Sequence, residues 1–201
     1  MTSRGSTPPP LGAWAPWHPR EVAARLAGVD SPWYVAGGWA VDLWLGVVTR
    51  DHADIEIAVP RGSFPAVRAR LVDCGLWVAG LGEVAALGAE VPADRRQVWV
   101  RDPVEPVWRL DVMLEPGDGG TWVYRRDARV RRRYREMVAT TSDGVPYLRP
   151  EGVLLDKAPY RRPKDDADLA VALPEMDSAA RRWLVDALTV AHPGHPWLTV
   201  I

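Results

Sequence analysis

The spacing of apolar positions changes character three times along the chain. After Pro19, which a first helical turn tolerates, Val22, Ala23, Leu26 and Val29 recur at helical spacing and predict a short opening helix. The run Trp33-Tyr34-Val35-Ala36 reads as a buried strand, broken by Gly37-Gly38 and followed by apolar residues 39–45 that predict a helix closed by Gly46. Residues 54–59 then alternate polar and apolar up to Pro60, as a half-buried strand does. Phe64, Val67, Leu71 and Val72 predict a helix ending near Gly75. Between residues 76 and 124 short strands follow, the clearest at 97–101, 107–114 and 121–124, with Gly, Asp and Pro turns between them. From Pro150 the pattern turns helical over 151–158, 164–173 and 179–190, before a His192-Pro193-Gly194-His195-Pro196 turn.

This succession predicts an α+β, α/β-like fold: a mixed β-sheet flanked by helices over residues 18–145, and a small helical portion over 146–201. The latter has too few residues for a dependable core of its own and is expected to pack on the body. Residues 1–17, rich in Ser, Pro and Gly, read as a disordered or loosely attached arm. No internal repeat is evident.

Composition adds exclusions. With 47% hydrophobic and 25% charged residues in 201, the chain is an ordinary globular sequence and not a disordered one. A net charge of −1 argues against a protein that coats nucleic acid or anionic membrane. Cys74 is the only cysteine, which rules out an internal disulfide and a cysteine-based zinc site. No stretch approaches the ~20 apolar residues of a membrane helix, and the opening MTSRGSTPPPLG lacks the apolar segment of a signal peptide, so a soluble cytoplasmic protein is expected. The 25 basic residues include only two lysines, Lys157 and Lys164, seven positions apart.

Candidate chemistry begins with Asp54 and Glu56. Two residues apart on a predicted strand, they project from one face while Ile55 and Ile57 point to the core, an arrangement able to clamp a divalent metal. Acidic residues alternating on a strand's solvent face are also commonplace. Asp111 stands likewise in an alternating strand, opposite in facing to Leu110, Val112 and Leu114, and could join a metal site or act as general base on a hydroxyl. Gly37 and Gly38, after a strand and before a helix, offer bare backbone N–H groups to phosphate oxygens, or serve simply as a tight turn. Arg50 and His52 lie directly ahead of the carboxylate strand, where a guanidinium could reach a triphosphate.

Residues 37–59, GGWAVDLWLGVVTRDHADIEIAV, resemble the signature of the nucleotidyltransferase superfamily, in particular its branch of aminoglycoside 2″-adenylyltransferases and lincosamide nucleotidyltransferases. Residues 150–174, PEGVLLDKAPYRRPKDDADLAVALP, resemble that branch's C-terminal Lys…Arg-Pro-Lys-Asp segment. The resemblance implies a nucleotidyltransferase-type sheet, with Asp54, Glu56 and Asp111 as ligands of Mg²⁺ or Mn²⁺. Gly37 and Gly38 would cradle phosphate, and Arg50, His52, Lys157 and Lys164 would approach ATP or another nucleoside triphosphate. A compact ammonium suits a phosphate where a planar guanidinium does not fit.

The implied reaction passes a nucleoside monophosphate to a hydroxyl of a small molecule such as an aminoglycoside or lincosamide antibiotic, a resistance activity. Glu56 stands where the family pattern has a second Asp, which motivates an alternative: a catalytically silent nucleotide-binding module. The arginines between 125 and 135 motivate another, a toxin-like transferase acting on tRNA or protein, with RNA the lesser partner. His192 and His195 lack a further ligand and read as a turn. The carboxylates Asp165, Asp166, Asp168, Glu175 and Asp177 would line a pocket for a cationic drug or form a solvated face. Oligomeric state is left open.

Overall fold

Ile55, Ile57 and Val59 are completely buried while Glu56 alternates to the other side, and this two-residue period builds the strand at the centre of the molecule. The computed structural model describes residues 7–118 and 120–201. Its elements in chain order are α1 (Pro19–Arg25), β1 (Tyr34–Val35), α2 (Gly37–Leu45), β2 (Glu56–Pro60), α3 (Phe64–Arg70), β3 (Gly75–Gly80), β4 (Glu83–Ala86), β5 (Gln97–Arg101), β6 (Trp108–Glu115), β7 (Thr121–Val123) and β8 (Arg131–Arg133). There follow α4 (Tyr134–Met137), β9 (Val138–Thr140), β10 (Pro146–Leu148), α5 (Pro150–Lys157), α6 (Pro163–Ala172) and α7 (Ser178–Ala191).

Eight strands form one mixed sheet in the order β4-β3-β5-β6-β2-β1-β10-β9, and β7 pairs with β8 apart from it. The pairs β2–β6 and β1–β10 are parallel and the rest antiparallel. The expected mixed sheet with helices is thus observed. Local signals explain the helix ends: a capping box of His18 and Glu21 opens α1, Gly46 at φ +74° closes α2, and the Asp177 carboxylate accepts from the N–H groups of Ala179 and Ala180 at the start of α7. Helix α5 is buried along nearly its whole length and packs against α2 and α7.

Two expectations change. The arm read over residues 1–17 is tied to the body from Pro10 onward; residues 1–6 lie outside the described residues. Trp108 donates its backbone N–H to Ala13 O at 2.8 Å and its indole N–H to Pro10 O at 2.9 Å, while Ala15 and Trp17 donate to the carbonyls of Trp108 and Arg109. Trp14 meets Trp99 edge-on at 5.1 Å and Trp17 is buried. Proline content argued for a solvated segment, but these tryptophans supply enough apolar surface to dock it. The body also does not end at residue 145, because β10 inserts between β1 and β9 in the main sheet. The three-residue strands β8, β9 and β10 carry too short a pattern to be read from alternation alone, whereas β1 and β7 fall within the runs read at 33–36 and 121–124.

Candidate active site

Glu56, the first residue of β2, and Asp111, within the parallel strand β6, stand directly opposite each other in register. The ladder is closed just ahead of them by Asp111 N–H donating to Ile55 O at 2.9 Å, and Asp54, two residues before β2, is near enough for its charge to act on both. The cavity in front of this face has a volume of about 270 Å³, and Asp54, Glu56, Ala58 and Met113 are among its walls. Burial, then the charge of Asp54, pushes the Glu56 carboxyl above its ordinary value. Burial, then the charge of Glu56, pushes Asp111 well above its own. Gln97 Nε2 donates to Asp111 Oδ2 at 2.7 Å, and Asp111 Oδ1 is buried without a partner.

Those features fit a hard divalent cation in kind: oxygen donors, mutual repulsion that a cation relieves, and one open buried lone pair. Among the described residues no three His, Cys, Asp or Glu side chains are drawn together as a ready metal cage. Magnesium does not require one, since it takes one or two carboxylates together with water and substrate phosphate.

The start of α2 opens on the same cavity. Ala36 occupies the N-cap and offers no side-chain acceptor, so the first N–H groups face the cavity uncapped. Both glycines have steric reasons. Gly37 sits at φ +64°, and a Cβ there would lie 2.8 Å from Glu56 Oε2; a Cβ on Gly38 would collide with the Arg50 guanidinium and meet the His52 ring at 2.7 Å.

The cations expected around phosphates divide into two kinds. His52 Nε2 meets buried Asp42 at 2.6 Å and its ring stacks on Trp39 at 4.4 Å, while Thr49 Oγ1 donates to the same Asp42 at 2.6 Å. Arg50 grips Asp168 through two bonds of 2.9 and 3.1 Å. Lys157, buried, lies 2.8 Å from Asp168 and 3.2 Å from Asp165, which also receives Arg162 at 2.8 Å. Burial would raise Asp168, but the bonds from Arg50 and Lys157 hold it below its ordinary value. Arg50, His52 and Lys157 therefore line the cavity as partners of buried carboxylates: Arg50 ties residues 47–54 to α6, His52 ties them to Asp42 of α2, and Lys157 ties α5 to α6. Lys164, exposed at the start of α6, lines the cavity with no ion pair among the described residues, near enough to Glu56 to offset its charge.

Sequence reading passed over Gln97, Asp42, Tyr34, Glu115 and Asp156. Glu115 could have been found, because it continues the alternation of Asp111 and Met113; the others depend on long-range packing. Asp165 and Asp168 are buried counter-ions, neither pocket nor solvated face, while Asp166 accepts from Trp197 and Asp177 caps α7. Of the arginine run, Arg125, Arg129 and Arg132 pair with carboxylates, and Arg126 donates to Tyr160. His192 meets the Tyr124 hydroxyl at 2.9 Å and His195 the Ala158 carbonyl at 3.0 Å. No helix among the described residues is long and apolar enough to cross a membrane.

Comparison with known proteins places these motifs. The family model described as aminoglycoside-2″-adenylyltransferase matches residues 20–83, a span that includes the glycine pair, Asp54 and Glu56. Proteins named 2″-aminoglycoside nucleotidyltransferase from Escherichia coli and Klebsiella pneumoniae are each 35% identical over 83 residues, 38% of this chain. The match spans about half the length of these curated relatives, 46%. The crystal structure of ANT(2″)-Ia in complex with adenylyl-2″-tobramycin superposes with a TM-score of 0.56 at 16% identity, covering 85% of this chain and 95% of that one. Lincomycin-bound LnuA, a lincosamide antibiotic adenylyltransferase, gives 0.51 at 19% identity, covering 75% and 91%. The chain thus resembles the aminoglycoside-2″-adenylyltransferase family in sequence over residues 20–83 and shares the fold of the nucleotidyltransferases ANT(2″)-Ia and LnuA.

Proposed function

We propose that this protein is a metal-dependent nucleotidyltransferase that moves AMP from ATP onto a hydroxyl of a small-molecule antibiotic of the aminoglycoside or lincosamide kind. The observation that carries the reading is the pairing of Glu56 with Asp111 across two parallel strands, with Asp54 beside them and the uncapped start of α2 opening on the same cavity. The family match over residues 20–83 supports it, and the adenylyl-2″-tobramycin and lincomycin held by ANT(2″)-Ia and LnuA single out the first acceptors to try.

Asp54, Glu56 and Asp111 would hold Mg²⁺ or Mn²⁺, which when bound neutralises charge building on the phosphates and the leaving group. Asp111 takes the proton of the acceptor hydroxyl as its oxygen bonds to the α-phosphorus, and the bond from that phosphorus to the bridging oxygen of the β-phosphate breaks, releasing pyrophosphate. The α2 N–H groups and Lys164 receive phosphate oxygens directly. Arg50, His52 and Lys157 contribute through their bonds to Asp168, Asp42 and Asp165, which fix the wall against which the triphosphate lies. An ATP-dependent transfer of this kind belongs in the cytoplasm and would confer antibiotic resistance.

Pyrophosphate release tests the reading, with Mg²⁺, each of the four nucleoside triphosphates, and tobramycin, lincomycin, total tRNA or a protein extract as acceptor. Release that requires ATP and one of the antibiotics, and that Asp54→Asn abolishes, is expected. Release with tRNA or protein alone would replace the acceptor class, and turnover indifferent to Asp54→Asn would remove the assignment.

A further inference from the structure

The proposed transfer leaves one buried carboxylate of the cavity without a role. On β6, Asp111, Met113 and Glu115 share a face, and at ~3.3 Å per residue Glu115 lies roughly 13 Å along the strand from Asp111. A relay from three strands converges on it. Trp122 Nε1 donates to the Tyr34 hydroxyl at 2.9 Å, and that hydroxyl donates in turn to Glu115 Oε2. Tyr34 and Trp122 are each 2% exposed and Glu115 is 8% exposed. Its second oxygen, Oε1, is buried, makes no hydrogen bond, and belongs to a side chain lining the cavity.

A buried acceptor left open at the end of a relay that satisfies every other member calls for a donor from outside the chain. Asp156 reaches the same cavity from α5, and burial pushes its carboxyl up to about 6. The nearest cation to it is Arg125, at 3.9 Å. Arg96, whose carbonyl accepts from Leu114 N–H, and Arg125 also line the cavity; what an N–H group would satisfy here is the open Oε1 of Glu115.

We propose that Glu115 anchors an amino group of a bound substrate, with Tyr34 and Trp122 holding its carboxylate in place; this rests on the transferase reading. The amino group has two sources, a protonated amine of the acceptor or the exocyclic amine of the nucleobase. Calorimetric binding of Mg-ATP, Mg-ITP and tobramycin to the native chain and to Glu115→Met, Glu115→Gln and Tyr34→Phe distinguishes them, with thermal unfolding as the control for folding. Glu115→Met is expected to weaken one ligand, either ATP or tobramycin, at least tenfold and the other less than twofold. If the acceptor supplies the amine, Glu115→Gln weakens tobramycin to a similar degree, because the negative charge is lost. If the nucleobase supplies it, Glu115→Gln retains ATP binding and Glu115→Met erases the preference for ATP over ITP, which carries a keto oxygen in place of the amine. Tyr34→Phe weakens the same ligand severalfold. Unchanged binding of both ligands by folded Glu115→Met overturns the inference alone, whereas a native chain that binds neither ATP nor tobramycin overturns the transferase reading and the inference with it.

Discussion

Gly37 lacks a side chain where Glu56 needs room: a Cβ at this positive-φ position would lie 2.8 Å from Glu56 Oε2. The glycine therefore serves the carboxylate as much as the turn. Gly37→Ala is expected to cost about 1–2 kcal/mol from the left-handed backbone alone, and to displace Glu56 as well. Thermal unfolding together with pyrophosphate release checks this; a variant with native stability and native turnover would contradict it.

Asp111 has one oxygen bonded by Gln97 and one buried without a partner, and the proposed transfer gives it the part of the base. Asp111→Asn keeps the shape and removes the proton acceptor. The expected loss in kcat is about 10²–10⁴-fold, the usual worth of a general base, with ATP binding affected far less. Gln97→Leu, which frees Asp111 to rotate, should lower kcat by a smaller factor and leave the fold intact.

Asp168 is the shared counter-ion of Arg50 and Lys157, with its side chain 2% exposed. Removing Asp168 leaves Arg50 without its carboxylate and Lys157 with Asp165 alone, so the cost lies at or below the ~3–5 kcal/mol of a fully stranded buried charge. Asp168→Ala is expected to lower the unfolding free energy by that order, and Lys157→Met by less, because Arg50 would continue to neutralise Asp168. Equal stabilities for native and Asp168→Ala proteins in urea titrations would show that the ion-pair wall is incidental.

Glu115 gives the stability a pH dependence of definite sign. Burial pushes its carboxyl from 4.5 to about 8 in the ligand-free chain, so between those values the free native state binds a proton that the unfolded chain releases and that an ammonium held at Glu115 would displace. Its stabilising contribution is complete below about 4.5 and is lost as pH rises through about 8, at up to about 1.4 kcal/mol per pH unit. Asp156, raised by burial to about 6, acts in the same direction over a lower range. Urea midpoints should therefore fall from pH 5 to pH 8, and Glu115→Gln should flatten that decline. A rise over this interval that persists in Glu115→Gln would contradict the assignment.

Much of the site was legible in the residues themselves. The alternation in Asp54-Ile55-Glu56-Ile57 determines which side chains leave the core, and the same rule separates Asp111 from Leu110 and Val112, because a strand turns successive side chains to opposite faces whatever lies beyond it. Glycines flanking an apolar run likewise marked both ends of α2. These are local consequences of backbone geometry.

Partnership across the chain was not legible. Glu56 meets Asp111 only because β2 and β6 run parallel in one register. Arg50 and Asp168 find each other across 118 residues; read alone, Arg50 could reach a triphosphate and Asp168 could line a drug pocket or a solvated face, and only folding shows that the two pair. The docked segment before α1 depends in the same way on Trp14 reaching Trp99 and Trp108. An isolated stretch reports the face a side chain takes; what that face meets is decided by strand order and helix packing, whose energies arise between segments distant in sequence.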